Sequence, residues 1–274
     1  MPPPVTAKLV PPPASAKPAR VCGEKAYSAP AAVPNRRLVA LFDPCYMSAL
    51  RPQDAGFARH VLEALGDQVT MIDGRCCGQP AFNSGFRNEA HSVGRELLKA
   101  ARPHQTVVVP SGSCTSMVRH YLPTLFEGRR ASGAAAIAGR FADFASYVAG
   151  HPALQDVVFK LDGVVTYHDS CHARRELHAS GAALRLLGRV EGLEVRPLLY
   201  EDECCGFGGT FAAKQPELSV AMMTAKLDDI ALTGARVVVS ADYSCLSHIE
   251  SGARGIGVQL QGWTLAELLS RALS

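Results

Sequence analysis

The chain has 274 residues, 47% of them apolar, and a formal charge of +3, which is enough to bury a substantial core in two small domains. No run of about 18 uncharged apolar residues occurs, which argues against a membrane-spanning helix, and the nearly neutral body offers no basic face for nucleic acid. Charge is concentrated at the start, where the first 37 residues hold six basic side chains against one acid, together with nine of the 18 prolines.

Those prolines remove backbone donors and interrupt helices, so residues 1–37 are expected to form a disordered leader. The leader lacks the apolar centre of a secretory signal, and its prolines disfavour the amphipathic helix of a presequence; a cytoplasmic protein is expected. Folded structure should begin with a strand at Leu38–Phe42, followed by a cysteine loop at Cys45 and a helix from about Ala55 to Leu65. A second strand, Val69–Ile72, leads to Cys76-Cys77-Gly78 and a helix over 88–101; a third, Thr106–Val109, leads to Cys114 and another helix. Residues 128–162, rich in Ala and Gly and then helix-like over 141–148, are read as a connection. The order then restarts: Val164–Tyr167 before Cys171, a helix over about 182–190, Leu193–Val195 before Cys204-Cys205-Gly206, a helix over 217–232, a strand at 235–239 before Cys245, and a last strand and helix over 259–273.

This organisation predicts an α/β protein of two pseudo-symmetric lobes, 38–127 and 163–274. Each lobe is a parallel-sheet β/α unit with its cysteine loops at the carboxyl ends of the strands, where such folds gather ligands. The spacing of the cysteines repeats with the lobes. Cys45 precedes Cys76 by 31 residues and Cys171 precedes Cys204 by 33, while Cys114 and Cys245 follow Cys77 and Cys205 by 37 and 40. Eight of the nine cysteines thus form two quartets, and Cys22 stands apart in the leader. Vicinal cysteines bridge each other with difficulty and no export signal is present, so disulfides are disfavoured. Four thiolates without an acidic cluster suit zinc or iron–sulfur. A vicinal pair makes a poor zinc knuckle, whereas a multi-iron cluster can take adjacent thiolates on different irons. Gly78, Gly206, Gly208 and Gly209 would let backbone amides approach such an anion. His168, His172, His120 and His248 are candidate proton donors or extra ligands. Arg75, Arg119, Arg174 and Arg175 could neutralise a cluster or hold a carboxylate, and Asp169 could orient a histidine or cap a helix.

The stretches Cys76-Cys77-Gly78-Gln79-Pro80-Ala81-Phe82-Asn83-Ser84-Gly85, Pro110-Ser111-Gly112-Ser113-Cys114, Tyr167-His168-Asp169-Ser170-Cys171-His172 and Asp202–Phe211 resemble the cysteine-rich CCG-domain proteins over about 38–273. That family includes the cysteine-rich component of heterodisulfide reductase, the glycolate oxidase iron–sulfur subunit and, most similar, the lactate utilisation protein A group. The resemblance implies an iron–sulfur subunit of a complex oxidising L-lactate to pyruvate. It would work beside a ferredoxin-like subunit and a third small subunit on a small 2-hydroxy acid. The implied ligands are Cys45, Cys76, Cys77 and Cys114 in one lobe and Cys171, Cys204, Cys205 and Cys245 in the other, holding one or two clusters of the 4Fe-4S type. The candidates for chemistry are His168, His172 and Arg174. The family pattern has a further cysteine in each lobe where this chain has Ser111 and Asp242, which leaves the non-cubane form of the cluster open. Glycolate oxidation, disulfide reduction, and a zinc-stabilised scaffold without redox chemistry are the competing expectations.

Overall fold

A computed structural model describes residues 37–72 and 76–274. The expected leader apart from Arg37, and with it Cys22, lies outside these residues, as does Arg75. In chain order the elements are β1 (Leu38–Phe42), α1 (Cys45–Leu50), α2 (Asp54–Ala64), β2 (Gln68–Ile72), α3 (Gln79–Asn83), α4 (Arg87–Ala101), β3 (Val107–Val109), α5 (Gly112–Ser116), α6 (Gly128–Ala138), β4 (Phe141–Asp143) and α7 (Phe144–Ala149). They continue as β5 (Phe159–His168), α8 (Cys171–Arg175), α9 (Ser180–Leu187), β6 (Val190–Arg196), α10 (Thr210–Lys214), α11 (Pro216–Thr233), β7 (Val237–Ser240), α12 (Tyr243–Gly255), β8 (Gln261–Thr264) and α13 (Leu265–Ala272).

Two four-stranded parallel sheets result, ordered β2-β1-β3-β4 and β6-β5-β7-β8, with the same connectivity in each. The α/β, two-lobed expectation is met. The expected connection over 128–162 needs correction, because Phe141–Asp143 pairs with β3 as the edge strand of the first sheet. Its three residues run straight into α7, capped by the Asp143 carboxylate accepting from the Ser146 amide at 2.9 Å. A strand that short, abutting a helix, leaves no period-2 signature of its own. The corresponding turn at the end of β8 is built the same way, with the Thr264 hydroxyl accepting from the Glu267 amide at 3.2 Å. Strand β5 likewise begins at Phe159, before its expected start, and shifts register between Lys160 and Gly163.

Alternate strand residues face opposite sides of a sheet, and here the two sides have different fates. Val39, Leu41 and Val108 of the first sheet and Val165, Tyr167 and Val239 of the second belong to one core shared by both lobes. Helix α2 packs on α13 and α7 packs on α9, which are equivalent pairs exchanged between lobes, so the junction is a pseudo-twofold helix layer between two sheets. The opposite faces have separate cores: Ala40, Phe42, Val107 and Val109 lie in the first lobe's, and Val238 in the second's, which also takes in Met47 of α1. Cys77 and Cys114 belong to the first outer core, and Cys205 and Cys245 to the second.

Candidate metal centre

In each lobe the cysteines come from three loops at the carboxyl ends of adjacent strands, after β1, β2 and β3 or after β5, β6 and β7. The parallel topology brings them together. In the first lobe the Cys45 and Cys76 sulfurs are 3.4 Å apart, as are those of Cys77 and Cys114, and the chain neighbours Cys76 and Cys77 join the two pairs. The second lobe repeats the arrangement: Cys171 interacts with Cys204, Cys204 with Cys205, and Cys205 with Cys245. Exposure repeats as well. Cys45, Cys76, Cys171 and Cys204 are half-buried, while Cys77, Cys114, Cys205 and Cys245 are buried and uncrosslinked. Each quartet therefore has an outer pair near solvent and an inner pair in the core.

In the first lobe Cys76 is favoured to ionise, and in the second Cys204 and, less strongly, Cys245. The pKa of Cys76 lies well below the ordinary thiol value, first through the hydrogen bond from Cys45, then through Cys77 and the Gly78 amide at 3.4 Å. Cys204 is lowered in the same way by Cys171, Cys205 and the Gly206 amide at 3.3 Å. Their donors Cys45 and Cys171 are pushed up, first by those hydrogen bonds and then by burial. Cys77 and Cys205 are also raised. A soft metal or an iron–sulfur cluster takes such thiolates, and the donor set on these outer faces fits either.

Gly78 and Gly206 give their amides because they adopt φ +88° and +85°, conformations that side chains resist. A Cβ at Gly206 would lie 2.5 Å from the Ser219 carbonyl oxygen and 2.9 Å from Met222 Cβ, whereas at Gly78 its nearest neighbour is the Ala90 carbonyl oxygen at 3.1 Å. Gly206→Ala should therefore destabilise the protein by about 2–4 kcal/mol and Gly78→Ala by about 1–2; chemical denaturation of the two variants checks the order. Gly208 and Gly209 make the left-handed turn into α10 and form no such bond to a cysteine among the described residues.

The other singled-out side chains separate. His168 ends β5 fully buried, with Cys205 and Cys245 beside it. His172 lies near Cys171, its Nδ1 3.5 Å from the sulfur, and its Nε2 is 3.4 Å from Gln79 Nε2 of the other lobe. The pseudo-symmetric contact is aromatic, with Tyr46 and Phe207 ring centroids 5.5 Å apart, so each quartet is flanked by a residue of the opposite lobe. Arg174 makes long ion pairs with Asp169 at 3.8 Å and Glu201 at 3.9 Å. Arg175 donates to the Asp202 carbonyl, and Arg119 and His120 are exposed. His248 sits 3.2 Å from the Ser219 hydroxyl, its pKa lowered by burial. The helix after Cys171 is capped by Ser170, which accepts from the Ala173 amide, while burial raises the pKa of Asp169.

The two positions that depart from the cysteine pattern meet each other. Ser111 Oγ donates to Asp242 Oδ1 at 2.7 Å across the lobe junction. The same carboxylate accepts from the Ser113 amide at 3.0 Å, the Ser113 hydroxyl at 2.8 Å and the Ser170 hydroxyl at 2.5 Å. Asp242 thus supplements the Ser111 cap of α5 in the other lobe, where the Ser111 hydroxyl accepts from the Cys114 amide, and its own helix α12 has no side-chain cap. Sequence alone marks both positions as lost ligands and hides this role, since its only trace is that the two exceptions fall at equivalent places. The loop before Cys204 is likewise anchored by an unforeseen pair: buried Asp229 accepts from the Leu199 and Tyr200 amides, while its ion-pair partner Lys226 donates to the Tyr200 carbonyl at 2.7 Å.

The profile of the cysteine-rich (CCG) domain matches residues 39–119 and 165–250, one copy per lobe. Lactate utilization protein A 1 of Bacillus anthracis is 34% identical over 239 residues, covering 86% of this chain and 99% of that protein. Lactate utilization protein A of Macrococcus caseolyticus is 37% identical over 235 residues, covering 85% and 96%. Among solved structures, a hypothetical protein from Helicobacter pylori shares the fold, with a TM-score of 0.58 at 9% identity over 90% of this chain, which spans 51% of that one. With both lobes matched and both quartets assembled, the chain belongs to the cysteine-rich CCG-domain family, in the lactate utilization protein A group.

Proposed function

We propose that this protein is an iron–sulfur subunit of a cytoplasmic complex that oxidises L-lactate to pyruvate, carrying electrons through one 4Fe-4S-type cluster in each lobe. The observation that carries this reading is the duplicated quartet, in which three loops per lobe bring four sulfurs into a connected set. The names of the relatives supply the substrate. Cys45, Cys76, Cys77 and Cys114 would hold one cluster and Cys171, Cys204, Cys205 and Cys245 the other, which would accept electrons one at a time from a two-electron oxidation.

The chain's own residues supply the setting. The Gly78 and Gly206 amides donate to ligand sulfurs and offset their charge. The half-buried outer cysteines leave one edge of each site near the surface, where a ferredoxin-like subunit can exchange electrons and a third small subunit can complete the complex. Arg174 is the candidate cation for a 2-hydroxy acid carboxylate; its long ion pairs and 36% exposed side chain support this assignment. His172, beside Cys171, is the candidate for taking the hydroxyl proton.

Anaerobic reconstitution of the full chain should yield near-stoichiometric iron and sulfide with an EPR signal, and the assembled complex should be reduced by L-lactate. A colourless protein with stoichiometric zinc would end the iron–sulfur reading, and turnover of glycolate or of a disulfide, without turnover of lactate, would reassign the substrate.

A further inference from the structure

The two quartets have different buried neighbours at the end of the strand that precedes the first cysteine. With Cys45 matched to Cys171, the residue ending β1 is Phe42 and the residue ending β5 is His168. Both side chains are fully buried on the outer face of their sheet. Phe42 packs in the apolar cluster that holds Cys77 and Cys114, as a hydrophobe at that place should. His168 instead brings a ring nitrogen to the equivalent cysteines, and its nitrogen and the Cys205 and Cys245 sulfurs all lie within 4.8 Å of one another. Buried polar atoms almost always find partners, yet neither Nδ1 nor Nε2 of His168 has a hydrogen bond of ordinary geometry among the described residues. Phenylalanine fills the matching place in the first lobe, so packing alone does not call for an imidazole.

We propose that His168 is a fifth ligand of the second-lobe cluster, binding an iron through a ring nitrogen beside Cys171, Cys204, Cys205 and Cys245, while the first lobe offers four thiolates only. This rests on the iron–sulfur reading above. It accounts for two facts together: a buried imidazole whose interacting neighbours are the cluster cysteines themselves, Cys245 above all, and a lobe whose remaining family ligand position, Asp242, is turned into the lobe junction. A neutral imidazole completes the donor set without adding the negative charge of a fifth thiolate, and imidazole in place of thiolate raises a cluster's reduction potential.

The test is pulsed EPR on the anaerobically reconstituted full chain, in its paramagnetic state, prepared with ordinary and with ¹⁵N-labelled histidine. A directly bound histidine should give a nitrogen coupling that changes on labelling, which requires no substitution. His168→Phe, the residue the first lobe uses, should abolish that coupling, and His172→Asn should keep it. His168→Cys should retain the iron content, lose the coupling and lower the potential of one cluster. Iron-loaded protein without a histidine coupling, or a coupling that survives His168→Phe, overturns the proposal and leaves the iron–sulfur reading standing. Protein that takes up no iron, seen in the metal analysis before any spectroscopy, overturns both.

Discussion

Asp242→Ala should lower the stability of the protein by about 3–5 kcal/mol, among the largest effects of any single substitution outside the quartets. The carboxylate is 1% exposed and collects hydrogen bonds from Ser111, Ser113 and Ser170. Removing it leaves buried hydroxyls and an amide at the N-terminus of α5 without an acceptor, and each such group costs about 1–3 kcal/mol when it finds no substitute. Partial re-pairing of the serines, already close at 3.2 Å between the Ser111 and Ser113 hydroxyls, keeps the total below the sum. Asp242→Asn preserves shape and one acceptor oxygen but turns an amide NH2 toward hydroxyls that must then reorient; about 1–2 kcal/mol is expected. Urea titration of the two variants should give this order. Equal effects of Ala and Asn would mean that the charge, and not the acceptor count, holds the junction.

What the sequence made legible followed from periodicity. Cysteine loops recur because each closes a strand of a repeated βα unit, and a parallel sheet has only one end at which such loops can meet. The quartets and the lobes could be read from that alone. Features that depend on the pseudo-twofold packing could not. Ser111 and Asp242 stand 131 residues apart, and no local pattern says that two missing thiolates face each other. Lys226 and Asp229, three residues apart on α11, look like a solvent-facing ion pair, yet both are fully buried because their partners are backbone groups of the loop at 199–200. Strand β4 escaped because three residues carry too little alternation to announce a strand, and the sheet supplies the rest by pairing. That the His168 side chain is fully buried beside Cys205 and Cys245 is likewise a property of the fold and has no local signature.

The lobes should also lose their metal independently. Cys205→Ser is expected to remove the second-lobe cluster and Cys77→Ser the first, so that each variant retains about half the iron of the parent and the double variant retains none. Each quartet is built on the outer face of its own sheet, in an apolar cluster that excludes the other lobe's cysteines, while the shared core that joins the lobes contains no cysteine. Loss of one inner ligand therefore leaves the opposite sheet and its loops intact. The new hydroxyl is a small apolar-to-polar change at a buried site, costing about 1–3 kcal/mol where it finds no partner, which a 240-residue body with a common core should survive. Because metal bound only to the folded state stabilises it by mass action, melting temperature should fall in two steps across the series, in parallel with iron content. Loss of all iron on either single substitution would show instead that one cluster organises the other, through the contacts His172–Gln79 and Tyr46–Phe207 by which each lobe borders its partner's site. In that case the single substitutions at Gln79 or Phe207, which replace no cysteine, should also deplete iron, and that outcome separates assembly through the junction from independent loading of two lobes.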